Sequence, residues 1–173
     1  MGMEKIMKDL YKLSAPKLAP RLLGCWLCRK TEDGNILRSR ITETEAYYGE
    51  EDTACHAHKG KTLRTEVMYR EGGCAYVYLC YGMHSLLNIV CGDEGHPEAV
   101  LIRGVEGACG PGRLTKRMNI TREQNGIILS PETGLWIEYG GEGFEYTAAP
   151  RVGIDYAEKH DREIRWRFIL KSK

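Results

Sequence analysis

The sequence predicts an α+β fold, a curved and mostly antiparallel sheet with surrounding helices and a protruding hairpin, and three observations carry that expectation. The chain opens on helical patterning, after which short β-rich runs bounded by turn residues dominate. Two junctions between such runs are tight: "TEDGN", which contains Asp33-Gly34, and Tyr81-Gly82-Met83-His84. The 173 residues contain no repeat, low-complexity tract or linker, so residues 1–173 are expected to form one domain.

Taken in order, "EKIMKDLYKL" reads as a helix, followed by a second over "SAPKLAPRLLG", where Ser14 can cap, Pro16 sits early and Gly24 ends the run. "CWLCRK" and "NILRSRITETEAY" are the arms of a hairpin around the Asp-Gly turn. Residues 49–73 are irregular and polar, with a short helix expected around "DTACHAH" and another over "LRTEVMYR", capped by Thr62. "CAYVYLCYGMHSLLNIVCG" gives two strands with Tyr81 and Met83 at their tip, and exposed apolar tips ask for a partner. "AVLIRGVEG" is a further strand, "GPGRLTKRM" a helix start and "GLWIEYG" a short strand. "EIRWRFIL" alternates Ile164, Trp166, Phe168 and Leu170 against charges as a last strand.

Hydrophobic residues make up 42% and charged residues 28%, the balance of a globular chain. No apolar run approaches a membrane span, and "MGMEKIMKDLYKL" lacks the apolar core of a signal peptide, so an intracellular location is expected. Seven cysteines, an odd number partly inside apolar runs, suit reduced thiols. Cys25 and Cys28 form a lone "CWLC" with no second pair at zinc spacing, so no metal site is expected. The net charge of +1 says little about nucleic acid. "REIRWRFILKSK" carries five basic residues against one acid, and Lys59, Lys61 and Arg64 cluster; such patches suit a phosphate backbone or a solvated face equally.

The run "ITETEAYYGEEDTACHAH" poses the sharpest question. Alternation places Glu43, Glu45 and Tyr47 on one strand face with Ile41, and Thr42, Thr44 and Ala46 on the other. An acidic strand face is ordinarily solvated. Set beside His56, the tyrosine-rich hairpin and Arg103 ending a buried strand, however, this face makes a site for a flat aromatic substrate.

Those stretches, together with "GPGRLTKRMNI" and "PRVGI", resemble the alkyladenine DNA glycosylases, also called 3-methyladenine DNA glycosylases of the human-enzyme type, from about residue 17 to residue 170. The resemblance implies cofactor-free hydrolysis of the N-glycosidic bond of damaged purines (3-methyladenine, 7-methylguanine, hypoxanthine, ethenoadenine) in double-stranded DNA. The base is rotated out of the helix into a pocket. It implies Glu45 as the base that activates water, Arg103 beside that water, and Glu43 as a structural glutamate. Tyr47 on one side and His56 with Tyr78 on the other would stack the purine, while Asn88 would crowd the amino group of guanine. Tyr81, flanked by Met83, matches the intercalating wedge. The pocket motif holds no lysine, so the enzyme is expected to be monofunctional. No metal is implied for Cys55, His56 and His58, and a monomer is the default. The sequence departs from the family in "KGKTLRTEVM", at Leu63 and Thr65, and at His84 beside the wedge. Two other readings stand beside this one: an inactive nucleic-acid binder on the same scaffold, and a two-carboxylate glycoside hydrolase using Glu43 and Glu45.

Overall fold

A computed structural model describes residues 2–172. Two short helices, α1 (Met3–Tyr11) and α2 (Ala15–Arg21), lead into β1 (Trp26–Lys30) and β2 (Ile36–Tyr48), which pair antiparallel across the predicted Asp-Gly turn. After the loop come β3 (Ala75–Cys80), β4 (His84–Val90), β5 (Glu98–Val105) and β6 (Ala108–Cys109). Then follow α3 (Pro111–Arg117), β7 (Leu135–Glu138), β8 (Tyr146–Ala149), α4 (Lys159–Glu163) and β9 (Arg167–Leu170). The strands run β3-β4-β5-β2-β1-β7, with β9 added to β2, and every pairing is antiparallel.

β2 is the organising strand. Its β-branched, alternating sequence suits a pleated surface, and its 13 residues outrun β1, so its second half lies between β5 and β9. One face packs on α2: Ile41 and Ala46 join the main core, and the buried Thr44 hydroxyl donates to the Ala19 carbonyl at 2.8 Å. Glu43, Glu45 and Tyr47 take the other face, as alternation predicts. Ile41 does not join them. The register with β5 slips between Ile41 and Glu43, and a bulge of this kind moves the side chains before it to the opposite face. Gly104 permits the close approach there, since a Cβ would stand 3.0 Å from Thr42 Oγ1.

The loop over residues 49–73 folds into two single turns of 3-10 helix, His56–Lys59 and Glu66–Tyr69, in place of the expected helices. The second begins after Thr65, which exchanges hydrogen bonds with Thr62. The loop is packed: Cys55, Ala57, Val67 and Met68 bury against Tyr76, Val90 and Ala99. At the C-terminal end only Arg167–Leu170 forms a strand, because α4 runs through Glu163 and Ile164 caps it. β8, the outer partner of β9, carried no sequence signal strong enough to place it.

Candidate active site

The second half of β2, the loop, the β3–β4 hairpin and residues 150–156 enclose a cleft of about 480 Å³, a size typical of small-ligand pockets. Tyr47, His56, Tyr78, Asn88 and Arg103 all line it. The neighbouring rings of His56 and Tyr78 lie 4.5 Å apart at 71°, with Tyr76 tilted against Tyr78 at 5.4 Å. Burial, and then the charge of Arg64, holds His56 down at about 4, so its imidazole is neutral at pH 7. Its Nδ1 lies 3.1 Å from the Tyr76 hydroxyl. Asn88 is buried, and its side-chain N–H donates to the carbonyl of its cross-strand partner Tyr76 at 3.3 Å, which fixes the amide.

Glu45 lies directly behind the cleft wall and is 0% exposed. Its Oε1 accepts from the Tyr47 hydroxyl at 3.0 Å and from Arg103 Nη1 at 3.4 Å, and its Oε2 from the Val152 N–H at 2.6 Å. Burial disfavours the carboxylate and raises its pKa, against the lowering pull of Arg103, the Val152 N–H and Tyr47. The net direction is upward because burial outweighs those pulls; Arg103 Nε also donates to Glu43 at 3.2 Å, and Glu43 holds Arg167 at 3.1 Å. A carboxylate offers about four lone-pair sites, and these three donors occupy three of them. At the cleft's rim Tyr81 is 93% exposed, and Met83, two residues on in the same turn, is 75% exposed.

The methylpurine-DNA glycosylase (MPG) family profile matches residues 9–109 and 106–173. A protein of Psychrobacter cryohalolentis, provisionally named 3-methyladenine DNA glycosylase, is 44% identical over 81% of this chain and 80% of its own. Proteins of Methanocella arvoryzae and Borreliella burgdorferi with the same provisional name are 40% and 42% identical, over 98% and 91% of this chain and 94% and 91% of theirs. The chain belongs to the methylpurine-DNA glycosylase family. It is therefore a DNA glycosylase by descent, on an α+β fold.

Beyond the residues expected from its glycosylase-like sequence, the site draws on several that sequence reasoning left without a role. Arg64 stacks over Tyr78 at 5.1 Å. Arg151 lies against Tyr47 at 4.9 Å, bonded to Asp52, and Tyr156 closes the rim with its hydroxyl on the Ala54 carbonyl. The run "PRVGI" was the available signal for Arg151 and Val152, but a backbone N–H donor leaves no mark in side-chain chemistry. Cys55, His56 and His58 diverge: Cys55 is buried in the loop's cluster, while His58 is exposed with Nδ1 on the Glu50 carbonyl. Among the described residues, no helix is long and apolar enough to cross a membrane.

Proposed function

We propose that the protein rotates damaged purines out of duplex DNA into this cleft and hydrolyses their N-glycosidic bond with a water activated by Glu45, leaving an abasic site. The observation that carries this reading is the buried Glu45 carboxylate, raised in pKa and braced by three donors, directly behind a cleft walled with aromatic rings. A general base works best with a pKa near the operating pH, and burial moves Glu45 in that direction. The C1′–N bond breaks with its electron pair leaving on the purine while the carboxylate charge of Glu45 stabilises the developing oxocarbenium ion, and as the water, oriented by Arg103, adds to C1′, Glu45 accepts its proton. Tyr47 faces His56 and Tyr78 across the purine, and a cationic alkylated base gains a further attraction to the ring faces. Asn88, its amide fixed by Tyr76, crowds the amino group of guanine.

Tyr81 fills the space vacated by the flipped base. Its φ of 52° is left-handed, a conformation that costs a non-glycine residue about 1–2 kcal/mol. With Gly82 at 67° it forms a turn of the tight hairpin type that keeps the aromatic ring off the protein's own surface. Glu43 and Glu45 share one arginine on one face, so they cannot flank a sugar bond from opposite sides as a glycoside hydrolase pair would.

The test is incubation with duplex oligonucleotides carrying one hypoxanthine or one ethenoadenine, followed by alkali. Strand scission that depends on the alkali step is expected. Scission without alkali would refute the monofunctional reading, and no scission with either lesion or with 3-methyladenine DNA would refute the activity.

A further inference from the structure

A hydrogen bond from an exposed loop to a fully buried carboxylate needs something to hold it there. Val152 is 46% exposed and Gly153 is exposed too, yet the Val152 N–H sits 2.6 Å from Oε2 of Glu45. The preceding residue is the anchor. Arg151 is 5% exposed, and its Nη1 donates to the Ala46 carbonyl at 2.9 Å and to Asp52 Oδ2 at 2.6 Å. Its Nη2 donates to Asp52 Oδ1 at 2.9 Å and to the Asp161 carbonyl at 3.2 Å. One planar guanidinium thus ties the segment Pro150–Gly153 to β2 between Glu45 and Tyr47, to the loop and to α4, with Tyr47 and Trp166 at 4.9 and 5.2 Å from it. Its Nε is buried with no acceptor, an unfavourable arrangement the fold keeps in exchange for the other four bonds. Arg151 does not line the cleft, so substrate contact does not explain it.

We infer that Arg151 is a positioning residue: locked by Asp52, it clamps residues 150–153 against β2 so that the Val152 N–H is held on Glu45 and keeps the buried base ionised. The inference rests on the reading of Glu45 as general base. The groups facing Glu45 are Tyr47 on its own strand, Arg103 from β5 with Glu43 behind it, Arg167 from β9 on Glu43, and Arg151, Val152 and Tyr156 from the closing segment. Arg103 is divided between two glutamates and the Tyr47 hydroxyl is neutral. The short N–H bond is therefore the contact to Oε2 that nothing else replaces. Loosening the clamp removes it, disfavours the carboxylate further and leaves less Glu45 ionised at a given pH.

The experiment is the pH profile of single-turnover hypoxanthine release for the wild type, Arg151→Lys, Asp52→Asn and a protein carrying a backbone ester in place of the Val152 amide. Affinity for duplex with an abasic site is measured alongside. Lysine keeps the charge and loses the fork; the ester deletes only the N–H and keeps every side chain. All three variants should move the acid limb of the profile upward by about one pH unit, recover to within a few-fold of the wild type at high pH, and bind abasic duplex as before. A loss of rate equal at all pH values, or an unmoved limb in the ester protein, overturns the inference. Should Arg151→Lys or Asp52→Asn not fold, the ester protein decides, since it keeps every side chain and deletes only the N–H. Glu45→Gln separates the two ideas: an active Glu45→Gln protein sinks the base assignment, whereas an inactive one beside unmoved limbs sinks only the role of Arg151.

Discussion

Glu43 and Glu45 are the same side chain on the same strand face, two residues apart, and their surroundings assign them different work. Glu45 is fully buried with a raised pKa, while Glu43 is partly exposed and bridges Arg103 to Arg167. Glu45→Gln should cut base release by roughly 10²–10⁴-fold, the usual contribution of a general base, with lesion DNA still bound. Glu43→Gln loosens Arg103 without removing the base and should cost about tenfold or less, equivalent to about 1.4 kcal/mol. Equal losses in single-turnover assays would mean the base is misassigned. Asn88 offers a second test at this scale, because guanine differs from hypoxanthine by one amino group. Asn88→Ser should raise release of guanine relative to hypoxanthine, each opposite thymine, by a factor corresponding to roughly 1–3 kcal/mol. An unchanged ratio in a folded variant places discrimination elsewhere.

The β3–β4 hairpin is an element whose conformation and surface disagree with stability alone. A left-handed tyrosine with 93% of its surface in solvent contributes neither packing nor backbone preference to the fold. Tyr81→Gly should therefore leave stability unchanged or raise it by up to about 1 kcal/mol, while weakening binding to lesion duplex. Tyr81→Ala should weaken lesion duplex, by roughly the 1–3 kcal/mol of a stacked ring, more than single-stranded lesion DNA, where no gap opens. If both affinities fall together, the ring is not a plug. The bulge in β2 is the other decisive element, since it lets one strand bury Ile41 and Ala46 in the core while presenting Glu45 and Tyr47 to the cleft.

For the whole molecule, the site carries a pH dependence that can be worked out by sign. His56 titrates near 6.5 when unfolded and is held at about 4 when folded, first by burial and then by Arg64. Between those values the unfolded chain binds a proton that the folded chain does not. This contribution is complete above pH 6.5 and is lost as pH falls through about 4. Glu45 works in the opposite direction, because its raised folded pKa makes ionisation costly as pH climbs past its ordinary value. Denaturant midpoints measured against pH should fall less steeply below 6.5 in His56→Gln than in the wild type. Parallel curves would show that His56 is not held neutral.

The positions of β1 to β5 and β7, the two hairpins and the alternation that sends Glu43, Glu45 and Tyr47 to one face are local properties, and the sequence alone determined them. The family resemblance was legible there too; of the residues its motifs carry, Tyr47, His56, Tyr78, Asn88 and Arg103 line one cleft, and Glu45 lies behind its wall, bonded to Arg103. Tertiary structure decided what local pattern cannot encode. The bulge that turns Ile41 to the core depends on register with β5, and the single 3-10 turns of the loop depend on how Cys55, Val67 and Met68 pack against β3–β5. The surroundings of Glu45 include elements far along the chain: the N–H of Val152 donates to it, and Arg151 beside Val152 is bonded to Asp52, a contact 99 residues long in sequence. A carboxylate on a strand is ordinarily a solvated group, and the burial that raises the pKa of Glu45 comes only with the assembled fold, in which β5 and β9 flank it and residues 150–153 place the Val152 N–H on it.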